Sequence, residues 1–191
     1  ADQADKIEQL GYIPEQLVEQ LRQSNSFSML LPASLDGCEL AYPDYLIRVQ
    51  SLAQQDGSVG WCSNQGSVLA SLALQLPEAS AKAIWPAPDR SVANGPPAGP
   101  CQAVPCSGGY RLSGSWSFSS GCRHADYLIG VGQVTERQEI RWCFFPKDQA
   151  RIDETWAVNG LKGTASWSFS VTELFVPEAF TLVYEPARQG S

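Results

Sequence analysis

At 191 residues the chain is long enough for one large domain or two small ones. It is 43% hydrophobic and 17% charged, a balance that supports a buried core and excludes extended disorder. Its net charge of −7, with no Lys- or Arg-rich stretch, excludes nucleic acid and anionic membrane surfaces as expected partners.

The longest apolar run, Val68 to Leu76, is interrupted by Ser71 and Gln75 and falls short of the ~20 residues that cross a bilayer. No signal peptide is visible ahead of the first helical pattern, and the first residue is Ala1 rather than Met. A cytoplasmic protein is expected. The six cysteines form no CxxC pair, and His124 is the single histidine. The Cys101–Cys106 spacing therefore predicts no metal site, and the thiols are expected to be reduced.

Residues 1–86 read as helical. From Pro14 to Ser24, Leu17 and Leu21 stand four apart, with Pro14 in the first turn. Pro43 to Gln55 sets Leu46, Val49 and Leu52 on one side. Ser58 to Gln75 carries Trp61, Val68, Leu69 and Leu72, and Pro77 restarts a short helix that ends near Trp85. Pro32, Asp36-Gly37 and Asp56-Gly57 separate these segments. Pro86 to Arg90 marks the expected boundary.

From residue 87 to 184 the period changes to two. Tyr110, Leu112, Trp116 and Phe118 alternate with small or polar residues, as do Ile140, Trp142 and Phe144, and then Trp167, Phe169 and Val171 with Phe175 continuing the count. Turn signals at Pro96-Pro97, Ser107-Gly108-Gly109, Pro146-Lys147-Asp148 and Asn159-Gly160 divide them. The expected fold class is α+β, with a helical N-terminal domain and an antiparallel barrel or sandwich of about six to eight strands. Residues 185–191 read as a frayed tail.

Walker, Rossmann and HExxH signatures are missing. His124 lies four residues after Ser120, a spacing that does not by itself make a hydrolase, and Asp153-Glu154 reads as a solvated strand end. Two stretches stand out. Ala93-Asn94-Gly95, leading into Pro96-Pro97-Ala98-Gly99-Pro100, reads either as a strand connection or as a stiff turn whose small residues and backbone amides meet a ligand. In Trp116-Ser117-Phe118-Ser119-Ser120-Gly121, bulky side chains stand beside three hydroxyls. A buried hydroxyl costs roughly 1–3 kcal/mol unless it is paired. An ordinary strand end or a shelf for a flat aromatic ligand fits that pattern.

Four blocks in order carry a family resemblance. They are Leu30 to Leu40 (similar to LxPxxxGGxE, with Asp36 replacing the first glycine), Asp56 to Trp61 (DGSxGW), Tyr110 to Tyr127 (GYxLSGxWxFxSGxxHADW) and Trp156 to Pro177 (WxxxGLxGTxS…VFVP). Over about 180 residues the chain resembles the acyl-CoA dehydrogenase fold superfamily, and within it the oxygenase components of two-component flavin-dependent monooxygenases. That resemblance implies a helical domain followed by a β-barrel. The implied cofactor is reduced flavin, FMN or FAD, whose ring lies against Ala93, Asn94, Gly95 and the stretch from Trp116 to Gly121. By the same resemblance Ser119 or Ser120 would donate to the N5/C4a side of the ring, where a donor steadies a C4a-hydroperoxide. Phe118 or Trp116 would pack beside the ring.

The implied function is hydroxylation of a small aromatic substrate with O2, with reduced flavin from a separate flavin reductase. A dehydrogenase-like oxidoreductase and a non-catalytic module that binds a ligand or partner are the alternatives. Ala98-Gly99-Pro100-Cys101 stands where dehydrogenases carry AGSD, which disfavours the former. In the family a C-terminal helical domain follows and supplies the catalytic base, arginines for the flavin phosphate and most of the oligomer interface. No residue here matches it, so no base is assigned. The chain is expected to be a shortened form, a half-length paralogue or a protein completed in trans. Uncovered apolar surface and homo-oligomerisation follow from that expectation.

Overall fold

The computed structural model describes residues 2–134 and 137–184, so the expected tail at 185–191 lies outside the described residues. The helical half contains α1 (Asp2–Leu10), α2 (Glu15–Gln23), α3 (Tyr42–Gln55), α4 (Gly57–Ala70) and α5 (Glu78–Ile84). Pro14 sits at the N-cap of α2, one position before the first turn in which it was expected. Asp56 caps α4, its carboxylate accepting from Val59 N at 2.9 Å. Val68 to Leu76 does not stay α-helical: the chain tightens into a 3-10 turn at Ser71–Gln75. No described helix is long and apolar enough to cross a membrane.

On α3 the buried residue is Tyr45, which donates to Asn64 Oδ1 at 2.6 Å. Its face continues through the half-buried Val49 and Leu52. Leu46, expected on that face, lies one residue and about 100° off it and is exposed, as are Tyr42 and Ile47. Apolar surface on α3 is thus uncovered.

The second half forms one eight-stranded sheet among the described residues, from β1 (Val92–Asn94), β2 (Gln102–Cys106), β3 (Gly109–Ser119), β4 (Tyr127–Val134), β5 (Glu139–Pro146), β6 (Arg151–Asp153), β7 (Trp167–Pro177) and β8 (Thr181–Val183). The order is β6-β7-β3-β2-β4-β5-β8, with β1 pairing β4. The expected antiparallel arrangement holds for most pairs, but β1 and β2 both run parallel to β4. A joint at Asp126 seats the β1–β4 pair. Its amide donates to Ser91 O at 2.8 Å, and its carboxylate accepts from Ser91 N, Arg90 and Arg22. Arg22 also donates to Asp89 O and His124 O, so one guanidinium on α2 ties the helices to the entry of β1 and β4.

Strands β4 and β5 bury both faces. Leu128 and Phe145 join a core with Leu112, Trp116 and Phe169. Ile129 and Phe144 join a second core with Leu69, Ile84 and Trp85 from the helices. Trp116 is fully buried, stacks on Phe169 at 5.0 Å and donates to Val131 O at 3.1 Å. Gly130 makes room for it, since a Cβ there would lie 2.9 Å from the Trp116 ring and from Leu112.

Two bulges overturn the expected alternation. Between Trp116 and Ser119, β3 has one residue more than β7. Phe118 takes φ 54° and turns outward, 62% exposed, rather than following Trp116 into the core. Between Leu112 and Gly114 the extra residue is on β7, where Glu173 takes φ 50°. Parity flips there, so Val176 is buried and Phe175, expected to continue the inward count, is exposed.

Candidate functional site

The β3 bulge builds the site. Two strand ends far apart in sequence meet at it: Pro96 O accepts from Ser117 N at 3.0 Å and Ala98 N donates to Ser115 O at 2.8 Å. Gly95 is required at this crossing, because a Cβ would fall 2.2 Å from Ser117 O. Ala93, Asn94 and Gly95 are therefore brought against Ser117, Phe118 and Ser119. Ala93 is buried and Asn94 half-buried. The turn that follows offers fewer amides than its sequence suggests, since prolines at 96, 97 and 100 carry none and that of Ala98 is already paired.

The predicted residues separate into two groups. Phe118 stands on the surface, edge-on to Trp156 with centroids 5.8 Å apart. Ser120, two residues on, is buried at 9% exposure, and its Oγ accepts from Trp61 Nε1 at 2.9 Å. Trp116, by contrast, is wholly inside the sheet core. Ser119 is fully buried, its Oγ unpaired and the Cys122 thiol its polar neighbour. Burial pushes that thiol up to about 11, so it is an uncharged neighbour.

Behind Ser120 lies a line of hydroxyls. Ser120 Oγ and Ser166 Oγ are 2.7 Å apart, and Ser166 Oγ and Thr164 Oγ1 are 2.6 Å apart. Thr164 Oγ1 reaches Leu161 O at 2.9 Å, as does Trp156 Nε1 at 3.0 Å. Gly121 N donates to Thr164 O at 2.9 Å, locking this loop to the end of β3. Phe118, Leu161 and Ala165 all hold left-handed φ, between 42° and 55°. Such strain costs roughly 1–2 kcal/mol per residue and gathers at sites that need a fixed backbone.

Below this surface His124 stacks on Phe27 at 4.7 Å. Burial first, then the cations Arg22, Lys147 and Arg123, lower its pKa to about 3, so the ring is neutral and donates no charge to the site. It makes no serine–histidine pair, because Ser120 is bonded to Trp61 and Ser166. Sequence reasoning assigned no role to Trp61, Trp156, Leu161, Thr164 and Ser166. They fall inside the DGSxGW and WxxxGLxGTxS blocks, which were signal enough to mark them.

No family model matches the chain. It is 32% identical over 194 residues to indole-3-acetate monooxygenase of Acinetobacter baumannii, covering 97% of this chain and 49% of that protein. It is 29% identical to the flavin-dependent monooxygenase oxygenase subunit HsaA of Rhodococcus jostii, covering 92% and 47%. The crystal structure of the HsaA monooxygenase from M. tuberculosis superposes with a TM-score of 0.87 at 30% identity, over 96% of this chain and 49% of that one. Over nearly its whole length the chain is homologous to flavin-dependent monooxygenase oxygenase components and shares their acyl-CoA dehydrogenase-like fold. It spans about half the length of these relatives. The fold is also that of XiaF from Streptomyces, solved with FADH2 and glycerol, at a TM-score of 0.88 and 24% identity over 95% of this chain and 47% of that one.

Proposed function

We propose that this chain forms the flavin-facing part of an oxygenase component that hydroxylates a small aromatic substrate, using reduced flavin delivered by a separate reductase. One observation carries the reading. The β3 bulge turns a large aromatic side chain, Phe118, out to solvent, two residues from a hydroxyl, Ser120, that is 9% exposed and held by Trp61 and Ser166. An aromatic face with a directed polar group at its edge suits a planar heteroaromatic ring.

A bound reduced flavin would supply activation of O2 for transfer of one oxygen atom to the substrate ring. The chain's own part is to orient and to shield. Phe118 and Trp61 cover the ring's flank and keep water off it. Ser120 holds the polar edge, and the strip from Ala93 to Gly95, packed on Ser117, walls the other side. Ser119, unpaired and enclosed, is a second polar contact for that edge if the bulge opens. The uncovered face of α3 suits a homo-oligomer contact or a helical partner. A titration of FMN and FAD, followed by quenching of tryptophan fluorescence, tests the reading. Saturable binding that weakens in Phe118→Ala supports it. Absence of binding at high micromolar flavin, or equal binding by the variant, refutes it.

A further inference from the structure

A cavity of about 910 Å3 lies among α1, α2, α3 and the start of α4. Its size falls in the range of small-molecule sites, ~300–1,000 Å3. The helical period builds it. On α2, Leu17, Leu21 and the exposed Gln20 share one stripe, and on α3 Arg48 and Leu52 stand four residues apart. Ile7 and Val59, exposed by only 1% and 5%, close the floor, and the half-buried Leu17 and Leu52 form its sides. The cavity is separate from the flavin-facing surface proposed above. Trp61 Nε1 reaches Ser120 from α4, whereas Val59, two residues earlier and about 200° round the helix, lines the cavity.

Two charged side chains line it as well. Arg22, Arg90, Arg123, Arg141 and Arg151 each face a carboxylate, but Arg48 faces none among the described residues and stands exposed at the cavity. Asp56 follows eight residues later, about 12 Å at the rise of a helix, and its carboxylate already caps α4 through Val59 N. One unpaired cation favours one negative group, and the Asp56 carboxylate repels a second. The rest of the lining is uncharged, from amides such as Gln20 and Gln55 to the Ser24 and Ser26 hydroxyls.

We infer that this cavity is a binding site for an amphipathic monoanion, a compact apolar body carrying one carboxylate. Arg48 holds the carboxylate, and the body lies over Leu17 and Leu52. A dianion is disfavoured by Asp56, and a neutral analogue forgoes Arg48. Because Arg48 is exposed, its charge contributes about fivefold in affinity, the upper range for a solvent-exposed ion pair. The site goes beyond the flavin reading and does not depend on it.

The test is calorimetry of hydrocinnamate, its neutral amide and its para-carboxy derivative on the wild-type chain and on Arg48→Gln, Arg48→Lys and Gln20→Trp. The wild-type chain should bind hydrocinnamate saturably, about fivefold more tightly than the amide, and the dicarboxylate more weakly than hydrocinnamate. Arg48→Gln should bring hydrocinnamate down to the amide without changing the amide. Arg48→Lys should keep the preference, and Gln20→Trp, which places an indole in the cavity, should remove binding of both. Should Gln20→Trp not fold, the two Arg48 variants carry the same expectation. No saturable binding at millimolar hydrocinnamate overturns the inference, as does a loss in Arg48→Gln shared equally by acid and amide. Saturating FMN should leave hydrocinnamate binding unchanged, and displacement by FMN would move the ligand to the flavin face and overturn the inference. Failure of FMN itself to bind, with hydrocinnamate bound as expected, refutes the flavin reading and leaves this site standing.

Discussion

Acidification from pH 7 to pH 5 should weaken the fold by about 2 kcal/mol through His124. The ring is 8% exposed, stacked on Phe27, with Arg22, Lys147 and Arg123 around it and only Asp126 opposing them. Its pKa falls from 6.5 in the unfolded chain to about 3 in the fold. Below pH 6.5 the unfolded chain therefore binds a proton that the folded one refuses. Stability is fully present above the unfolded pKa and is lost as pH falls through the window between 6.5 and 3. At about 1.4 kcal/mol per pH unit, the interval from 6.5 to 5 gives the stated loss. Burial raises the Asp126 carboxyl, but Arg22, the Ser91 amide and Arg90 together outweigh it and hold the group below its ordinary value, so it titrates at lower pH and leaves the interval from 7 to 5 to the imidazole. Urea unfolding at pH 5, 6 and 7 measures the slope, and His124→Gln should flatten it. Because the chain has one histidine, its ring carbon proton signals in an NMR titration report the same pKa without assignment. An imidazole that titrates near 6.5 in the folded protein, or an equal slope in His124→Gln, would refute this account.

Three further outcomes follow from the geometry. Arg22→Ala removes the contacts to Asp126, Asp89 O and His124 O together and should cost about 3 kcal/mol in urea unfolding. A cost under about 1 kcal/mol would mean that the joint is held elsewhere. Gly95→Ala should cost about 2 kcal/mol or more, because the new Cβ meets the backbone oxygen of Ser117, which cannot yield without opening the bulge. A melting temperature unchanged by this variant would contradict the close crossing. Phe118→Ala should leave stability within about 0.5 kcal/mol, since the ring is exposed, while flavin affinity falls about fivefold. Loss of stability with unchanged affinity would assign the ring to the fold instead of the site.

Much of this architecture was legible in local chemistry. Asp56 before Gly57-Ser58 names a helix start because a carboxylate caps free amides, and it does so here. Tyr110, Leu112 and Trp116 mark one face of β3 because side chains alternate along a strand. That reasoning fails at Phe118 and Phe175, where it counts residues across a bulge that no residue type announces. A bulge is fixed by the partner strand: whether β3 or β7 carries the extra residue depends on how the two register over their whole length. The parallel pairing of β1 with β4 was hidden for a similar reason. The joint beside it includes Arg22, 104 residues before Asp126, a contact that no local pattern announces.

The site divides along the same line. The sequence by itself determined that a strand end rich in hydroxyls and aromatics lies at Trp116 to Gly121, and that the chain resembles a flavin-using family, since both are carried by residues adjacent in the chain. Only the tertiary structure decided which of those residues face outward. One left-handed residue turned Phe118 to solvent while Trp116 and Ser119 stayed enclosed. Tertiary structure also decided what Ser120 meets: its partners are Trp61, 59 residues before it, and Ser166, 46 residues after it, and no local pattern names either.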